Sequence, residues 1–221
     1  MRTGACIFDL DGVIVDTARY HFLSWKRLAD QLGINFTEED NERLKGVSRM
    51  ASLEIILEIG NLILDERLKL EYATLKNSWY VEYISKMTPS EILPGCVKFI
   101  KEVRNANIRT AIGSASKNTP MILERVGIKD LFDAVADGNN ISKAKPDPEV
   151  FLKAAEMVGV KPEKCVVFED AVAGVQAGLN ADMICVGIGS PDILTRAHIV
   201  VPGLYEMNLE KLRILEIRGL R

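Results

Sequence analysis

The sequence predicts an α/β protein whose core is a doubly wound parallel sheet, with a helical bundle inserted after its first strand. Three observations lead there. Short apolar runs bounded by turn residues recur near 5–8, 109–113, 132–136, 165–168, 183–186 and 198–201 and read as buried strands. From Pro94 onward these runs alternate with helical segments, the pattern of a parallel sheet with crossover helices. Between 17 and 87 the apolar residues instead keep helical spacing and no convincing strand occurs. The expected division is an α/β core of residues 1–16 and 88–221, and a helical cap of residues 17–87.

Each element follows from local chemistry. The first strand ends in Asp9-Leu10-Asp11-Gly12. An extended chain has a period of two, so Asp9 and Asp11 point the same way, and Gly12 allows a sharp turn. Thr17 is placed to cap a helix over 17–32, with Ala18, His21, Trp25, Leu28 and Leu32 on one face and Gly33 at its end. Thr37 begins a second helix, with Asp40 three residues on as a variant capping box. The loop Lys45-Gly46-Val47-Ser48-Arg49 precedes a helix over 50–59, and a further helix runs over 65–86. Helices over 96–105, 121–126, 149–158 and 171–180 then alternate with the remaining strands, and a last helix closes the chain.

Bulk properties narrow the chemistry. With 221 residues, 48% of them hydrophobic, the chain can form one large domain or two small ones. A net charge of -3 supplies no basic field, so nucleic acid is not an expected partner. No apolar run reaches the ~18 residues of a membrane span, and Asp9 and Asp11 interrupt the N-terminal run that a secretion signal would need. Cys6, Cys165 and Cys185 lie in strand-like runs, Cys96 follows Pro94-Gly95, and no Cys/His cluster has zinc spacing. The expectation is a soluble, cytoplasmic, monomeric protein with buried free thiols.

Four polar clusters follow strands or lie in the loop beyond one: Asp9 with Asp11; Ser114 with Ala115, Ser116, Lys117 and Asn118; Lys145; and Glu169 with Asp170. The carboxyl ends of parallel strands share one edge, so these positions converge. Each cluster alone has an ordinary reading. The DxDG turn can be solvated, or can bind metal as in some glycosyltransferases. A Ser-rich turn can cap a helix, Lys145-Pro146 can be a surface turn, and Glu-Asp can simply favour a helix N-terminus. Together they suit phosphoryl transfer. A carboxylate can attack phosphorus to give an aspartyl phosphate. Asp9, Asp170 and a backbone carbonyl near Asp11 offer hard oxygen ligands for Mg²⁺. Ser114 and Lys145 can hold the transferring phosphoryl oxygens, and Asp11 is placed as general acid and base.

The stretches Asp9-Leu10-Asp11-Gly12-Val13-Ile14-Val15-Asp16-Thr17, Ser114, Lys145-Pro146 and Glu169-Asp170 resemble the four motifs of the haloacid dehalogenase-like (HAD-like) phosphotransferases. The helical insert is similar to the cap of that superfamily's first subclass, which implies a HAD-like, Rossmannoid core. Within it, Lys45-Gly46-Val47-Ser48-Arg49 and Ser114-Ala115-Ser116-Lys117-Asn118 resemble the branch that interconverts β-D-glucose 1-phosphate and glucose 6-phosphate through a bound 1,6-bisphosphate. The resemblance implies Asp9 as nucleophile and Asp11 as acid/base. It also implies Mg²⁺ on Asp9, the Asp11 carbonyl and Asp170 with Glu169 nearby, and Arg49 on the phosphate not being transferred.

Thr17, His21, Trp25, Ser52 and Lys76 are further candidates for the sugar-phosphate pocket, beside Lys45, Gly46, Val47 and the 114–118 loop. Lys45 and Arg49 also read as solvated charges, and His21 and Trp25 as packing on an apolar stripe. Ala171 departs from the branch, which often has Ser there. The alternative is a Mg²⁺-dependent hexose-phosphate phosphatase with water as acceptor. A non-catalytic phosphosugar sensor would lack a nucleophile, acid/base or metal ligand, and none is missing.

Overall fold

Six strands form one sheet in the order β3-β2-β1-β4-β5-β6, every neighbouring pair parallel. They are β1 Ala5–Phe8, β2 Arg109–Gly113, β3 Ala134–Ala136, β4 Cys165–Glu169, β5 Ile184–Ile188 and β6 Ile199–Val201. This is a computed structural model that describes residues 3–218; residues 1–2 and 219–221 of the expected core lie outside the described residues. The chain leaves β1 at the middle of the sheet and returns to it only at β2, one strand to the side.

The intervening segment forms α1 Ala18–Gln31, α2 Glu38–Glu42, α3 Arg49–Ile59 and α4 Glu66–Ile84, with no strand among residues 17–87. These helices bury an apolar cluster of their own around Trp25, Leu28, Leu53, Ile56, Ala73 and Trp79. Local signals set the starts of three of them. Thr37 and Asp40 form the reciprocal capping box of α2. Asp65 caps α4 through Leu68 N–H. Ser48 accepts from Ala51 N–H at 3.2 Å, so α3 begins at Arg49 and not one residue later. Thr17 corrects its expected role: it precedes α1 but makes no side-chain cap, because its hydroxyl donates to the Asp11 carboxylate.

The two connections between insertion and sheet run side by side. Val15 pairs antiparallel with Ile92, Asp16 N–H bonds to Glu91 C=O at 3.0 Å, and Leu93 N–H bonds to Ile14 C=O at 2.9 Å.

Beyond the insertion come α5 Cys96–Asn105, α6 Thr119–Arg125, α7 Glu149–Met157, α8 Val172–Asn180 and α9 Leu209–Arg218. Strand alternation sorts them. Cys6 and Phe8 face one apolar layer with Phe99, Ile122 and Leu212, from α5, α6 and α9. Ala5 and Ile7 face the other, with Phe151 and Val175 from α7 and α8. A strand buried on both faces is apolar throughout, which is why β1 reads as one continuous run. Four strands have boundaries away from their expected places, β6 by a single residue, at Ile199. β3 begins at Ala134 because Lys129–Leu131 forms a 3-10 turn closed by Phe132 N–H on Lys129 C=O. β4 extends one residue, to Glu169. β5 runs on to Ile188, since Gly187 leaves room where an added Cβ would lie 3.0 Å from Leu194 and 3.1 Å from Val200.

Two aromatic rings tie the centre of the sheet together directly below the polar edge. Phe8 of β1 stacks on Phe168 of β4 with centroids 4.7 Å apart, and Phe99 meets both edge-on. The residues that follow these rings are Asp9 and Glu169. Phe168→Ala should therefore destabilise the protein by ~3–5 kcal/mol, read as a lower urea midpoint with an unchanged m-value.

Candidate active site

Asp9 is the first residue past β1 and still belongs to its ladder, with its N–H on Phe168 C=O at 2.9 Å. The chain then folds tightly on itself. Ile14 and Val15 N–H groups both reach Leu10 C=O, and Gly12 N–H reaches Val15 C=O at 2.9 Å. Gly12 has φ +79°, and a Cβ there would lie 2.2 Å from Asp170 Oδ2. Conformation and space both require glycine. The absent side chain lets Asp170, from the end of β4, close on the turn, so that carboxylate oxygens of Asp9, Glu169 and Asp170 lie within 4.8 Å of one another.

Lys145 enters beneath this cluster from the loop after β3. Its ammonium donates to Asp9 Oδ1 at 2.5 Å and to Glu169 Oε2 at 2.8 Å, with its side chain 1% exposed. Burial opposes that charge, but Asp9 and Glu169 outweigh it and hold the ammonium well above the ordinary lysine range. Glu169 also accepts from Ala171 N–H at 3.0 Å, so both its oxygens are engaged. Burial and Asp9 still lift its carboxyl to about 7 against the pull of Lys145. Asp170 is pushed well up by burial, then by Glu169 and Asp9, with Lys45 of the cap opposing. Fully ionised, three carboxylates against one ammonium would leave two negative charges in a buried site, which these shifts resist and a divalent cation would neutralise with hard-oxygen chemistry.

Asp11 stands beside this cluster. Burial and then Asp9 lift its carboxyl to about 6, while the Thr17 hydrogen bond, Lys145 and Lys76 act the other way. A carboxyl so placed can both give and take a proton near neutral pH.

A cavity of about 420 Å³ opens over these groups between insertion and sheet edge. From the sheet side its wall includes Asp9, Asp11, Asp170 and the whole run Ser114, Ala115, Ser116, Lys117 and Asn118. From the insertion it includes His21, Trp25, Lys45, Gly46, Val47, Arg49, Ser52 and Lys76. Three sequence candidates are not in the wall: Lys145 and Glu169 lie beneath Asp9, and Thr17, fully buried, backs Asp11. Lys45 pairs with Glu42 at 2.8 Å. Arg49 has no carboxylate partner among the described residues, and burial lowers its pKa. Lys76 is 2% exposed, with its ammonium on His21 Nδ1 at 3.1 Å and against the rings of Trp25 and Tyr80. Burial and then Arg49 bring it down to about 7, and burial and then Lys76 lower His21 well below its usual value.

Other wall residues carried no sequence signal of their own. Asn77 follows Lys76, and Ile141, Ser142, Lys143 and Ala144 lead into Lys145. Only the tertiary fold brings Gly138 against the 114–118 loop, where a Cβ would lie 2.5 Å from Ala115 C=O. Gly46, at φ +73°, seats the cap loop on Ala171, whose Cβ an added side chain would approach to 2.9 Å.

A family model described as haloacid dehalogenase-like hydrolase matches residues 3–182. Over 210 residues the chain is 45% identical to β-phosphoglucomutase of Bacillus subtilis, covering 94% of this chain and 93% of that one. It is 33% identical to a phosphorylated carbohydrates phosphatase of Thermotoga maritima, covering 80% and 81% of the two chains. The crystal structure of β-phosphoglucomutase from Clostridium difficile superposes with a TM-score of 0.94 at 41% identity, covering 98% of each chain.

The crowded carboxyls make a thermodynamic prediction. Asp170 binds a proton more readily folded than unfolded, so its penalty appears as pH rises above the ordinary carboxyl range. In chelator at pH 7.5, Asp170→Asn should be more stable than the parent by roughly 1–3 kcal/mol, and the gain should shrink toward pH 5. Adding a divalent cation should raise the melting temperature of the parent and leave the variant nearly unchanged.

Proposed function

The chain belongs to the haloacid dehalogenase-like hydrolase family, and from that premise we propose that it interconverts β-D-glucose 1-phosphate and D-glucose 6-phosphate through a bound glucose 1,6-bisphosphate. The observation that carries this reading is Arg49, a half-buried cation with no carboxylate partner among the described residues, lining the same cavity as Asp9. A substrate with one phosphate at Asp9 and a second beyond it needs a second cationic site, and arginine meets phosphate with two parallel hydrogen bonds. The 45% identity to a β-phosphoglucomutase over 94% of the chain supports the same activity.

The residues present fit a divalent ion. Asp9 and Asp170 offer carboxylate oxygens and Asp11 its main-chain carbonyl, while the oxygens of Glu169 are engaged by Lys145 and Ala171 N–H. We assign Mg²⁺, which when bound offsets the repulsion between the Asp9 carboxylate and an incoming phosphate. The other steps belong to the chain. Phosphorylated Asp9 gives its group to the free hydroxyl of the sugar monophosphate. The hydroxyl oxygen bonds to phosphorus as the Asp9–phosphorus bond breaks, and Asp11 takes the proton. The bisphosphate re-enters in the opposite orientation. The Asp9 carboxylate then attacks the other phosphate, and Asp11 returns the proton to the departing sugar oxygen. Lys145 holds Asp9 in place, and with Ser114 offsets the charge on the transferring oxygens. Arg49 and the 114–118 loop retain the second phosphate. Four buried cysteines, none in a disulfide among the described residues, suit a reducing cytoplasm.

The phosphatase reading keeps every core residue and changes only the acceptor to water; the Thermotoga maritima phosphatase at 33% identity favours it. The two separate when purified protein is incubated with Mg²⁺, each anomer of glucose 1-phosphate and a trace of bisphosphate. Glucose 6-phosphate from the β anomer alone supports the mutase; stoichiometric inorganic phosphate instead supports the phosphatase.

Two variants test the assignments. Asp9→Asn should take up no phosphoryl label, since an amide cannot attack phosphorus; a labelled, folded variant would remove Asp9 as nucleophile. Arg49→Ala should lose ~1.5–3 kcal/mol of transition-state binding per charge-assisted bond, about 10- to 150-fold in kcat/KM for the sugar phosphate. Its phosphorylation by acetyl phosphate, which carries no second phosphate, should change far less.

A further inference from the structure

Among the described residues, one side-chain hydrogen bond joins cap to core away from the linkers: Asn118 Nδ2 donates to Asn77 Oδ1 at 3.0 Å. The other such bonds, Thr17 to Asp11 and Arg19 and Tyr20 to Glu91, lie where the two bodies are already joined by chain. Both amides line the cavity. Each is anchored to its own side. Asn118 N–H bonds to Ser116 Oγ at 3.2 Å, Ser116 N–H to Ser114 Oγ at 3.1 Å, and Asn139 Nδ2 to Lys117 C=O at 2.9 Å. Asn77 follows Lys76, itself fixed on His21 and the Trp25 ring. The bond therefore reports the separation of two rigid strips.

We propose that this amide pair is a latch holding the cap closed, and that Asn77 thereby sets whether a phosphoryl group on Asp9 passes to a sugar hydroxyl or to water. The second half rests on the mutase reading above. The chemistry of the pair suits the task. A carboxylate at 77 would repel the anionic ligand, and an ammonium would compete with Arg49 and Lys76 for its phosphates. Two neutral amides close the gap without charge, and neither titrates in the working pH range. With the latch open, water enters. Its oxygen bonds to phosphorus, the Asp9–phosphorus bond breaks, Asp11 takes the proton and inorganic phosphate leaves. With the latch closed, the sugar hydroxyl occupies that position.

The test compares Asn77→Ala with Asn77→Asp. Amide hydrogen exchange in α4 and in the 114–118 loop is measured without ligand; inorganic phosphate released per sugar phosphate isomerised is measured with Mg²⁺ and β-glucose 1-phosphate. Loss of one net hydrogen bond should raise both readouts about two- to tenfold in Asn77→Ala. Asn77→Asp should exchange like the parent, because its carboxylate still accepts from Asn118, while KM rises through repulsion of the phosphate. Parent-like exchange in Asn77→Ala overturns the latch. Faster exchange with an unchanged product ratio overturns its link to water. A parent that isomerises nothing overturns the mutase reading, and the exchange measurement still decides the latch.

Discussion

One ammonium makes this site possible. Lys145, 1% exposed, bridges Asp9 and Glu169 at the ends of two adjacent strands. A buried ion pair is a poor source of stability, since the desolvation of its members rivals their attraction. Here the imbalance is larger, because a third carboxylate, Asp170, joins the pair without a cation of its own beneath it. A chain selected for stability alone would fill this volume with apolar side chains. The cluster is better understood as charge held ready for a ligand, with the sheet supporting it through the Phe8–Phe168 stack one residue below.

Strand order converts this local arrangement into a complete site. With β1 between β2 and β4, the carboxyl ends of three neighbouring strands bring Asp9, Ser114 and Glu169 to one edge, as expected where the winding of a parallel sheet reverses. The loop beyond β3 contributes Lys145 from below and packs against the 114–118 loop through Gly138. The cap then supplies what the sheet edge lacks. Arg49, Lys45 and Lys76 are cations brought over a carboxylate-lined floor.

What was legible in the sequence follows the same physics. Strands buried on both faces announce themselves as apolar runs, and the strand-exit clusters were found because parallel topology alone makes them converge. The charged cap residues stood out by type. Hidden from the sequence was every property that depends on distance. Thr17 reads as a helix cap, yet its hydroxyl finds a stronger acceptor in Asp11. Arg49 reads as a loop residue, yet Ser48 starts the helix before it. Lys145 reads as a holder of phosphoryl oxygens and Glu169 as a neighbour of the metal, yet both are buried beneath Asp9 and outside the cavity wall. Asn77 gave no signal, because one neutral amide on a helix has chemical meaning only once Asn118 is opposite it. Ala171 lies against Gly46, and its departure from serine has no structural explanation.

The paired linkers carry a consequence for how such a molecule can change. Entry and exit of the insertion are joined by the Val15–Ile92 bridge, and the inserted helices bury their own apolar cluster. Apart from the linkers, the insertion meets the sheet's apolar layer at its last turns, through Tyr80, Ile84 and Met87. One cap can therefore be exchanged for another without changing a strand register, while the floor carboxyls Asp11 and Asp170 feel which cations the cap brings. Inheritance can act on the two halves at different rates, keeping one way of handling phosphorus while recruiting many kinds of acceptor.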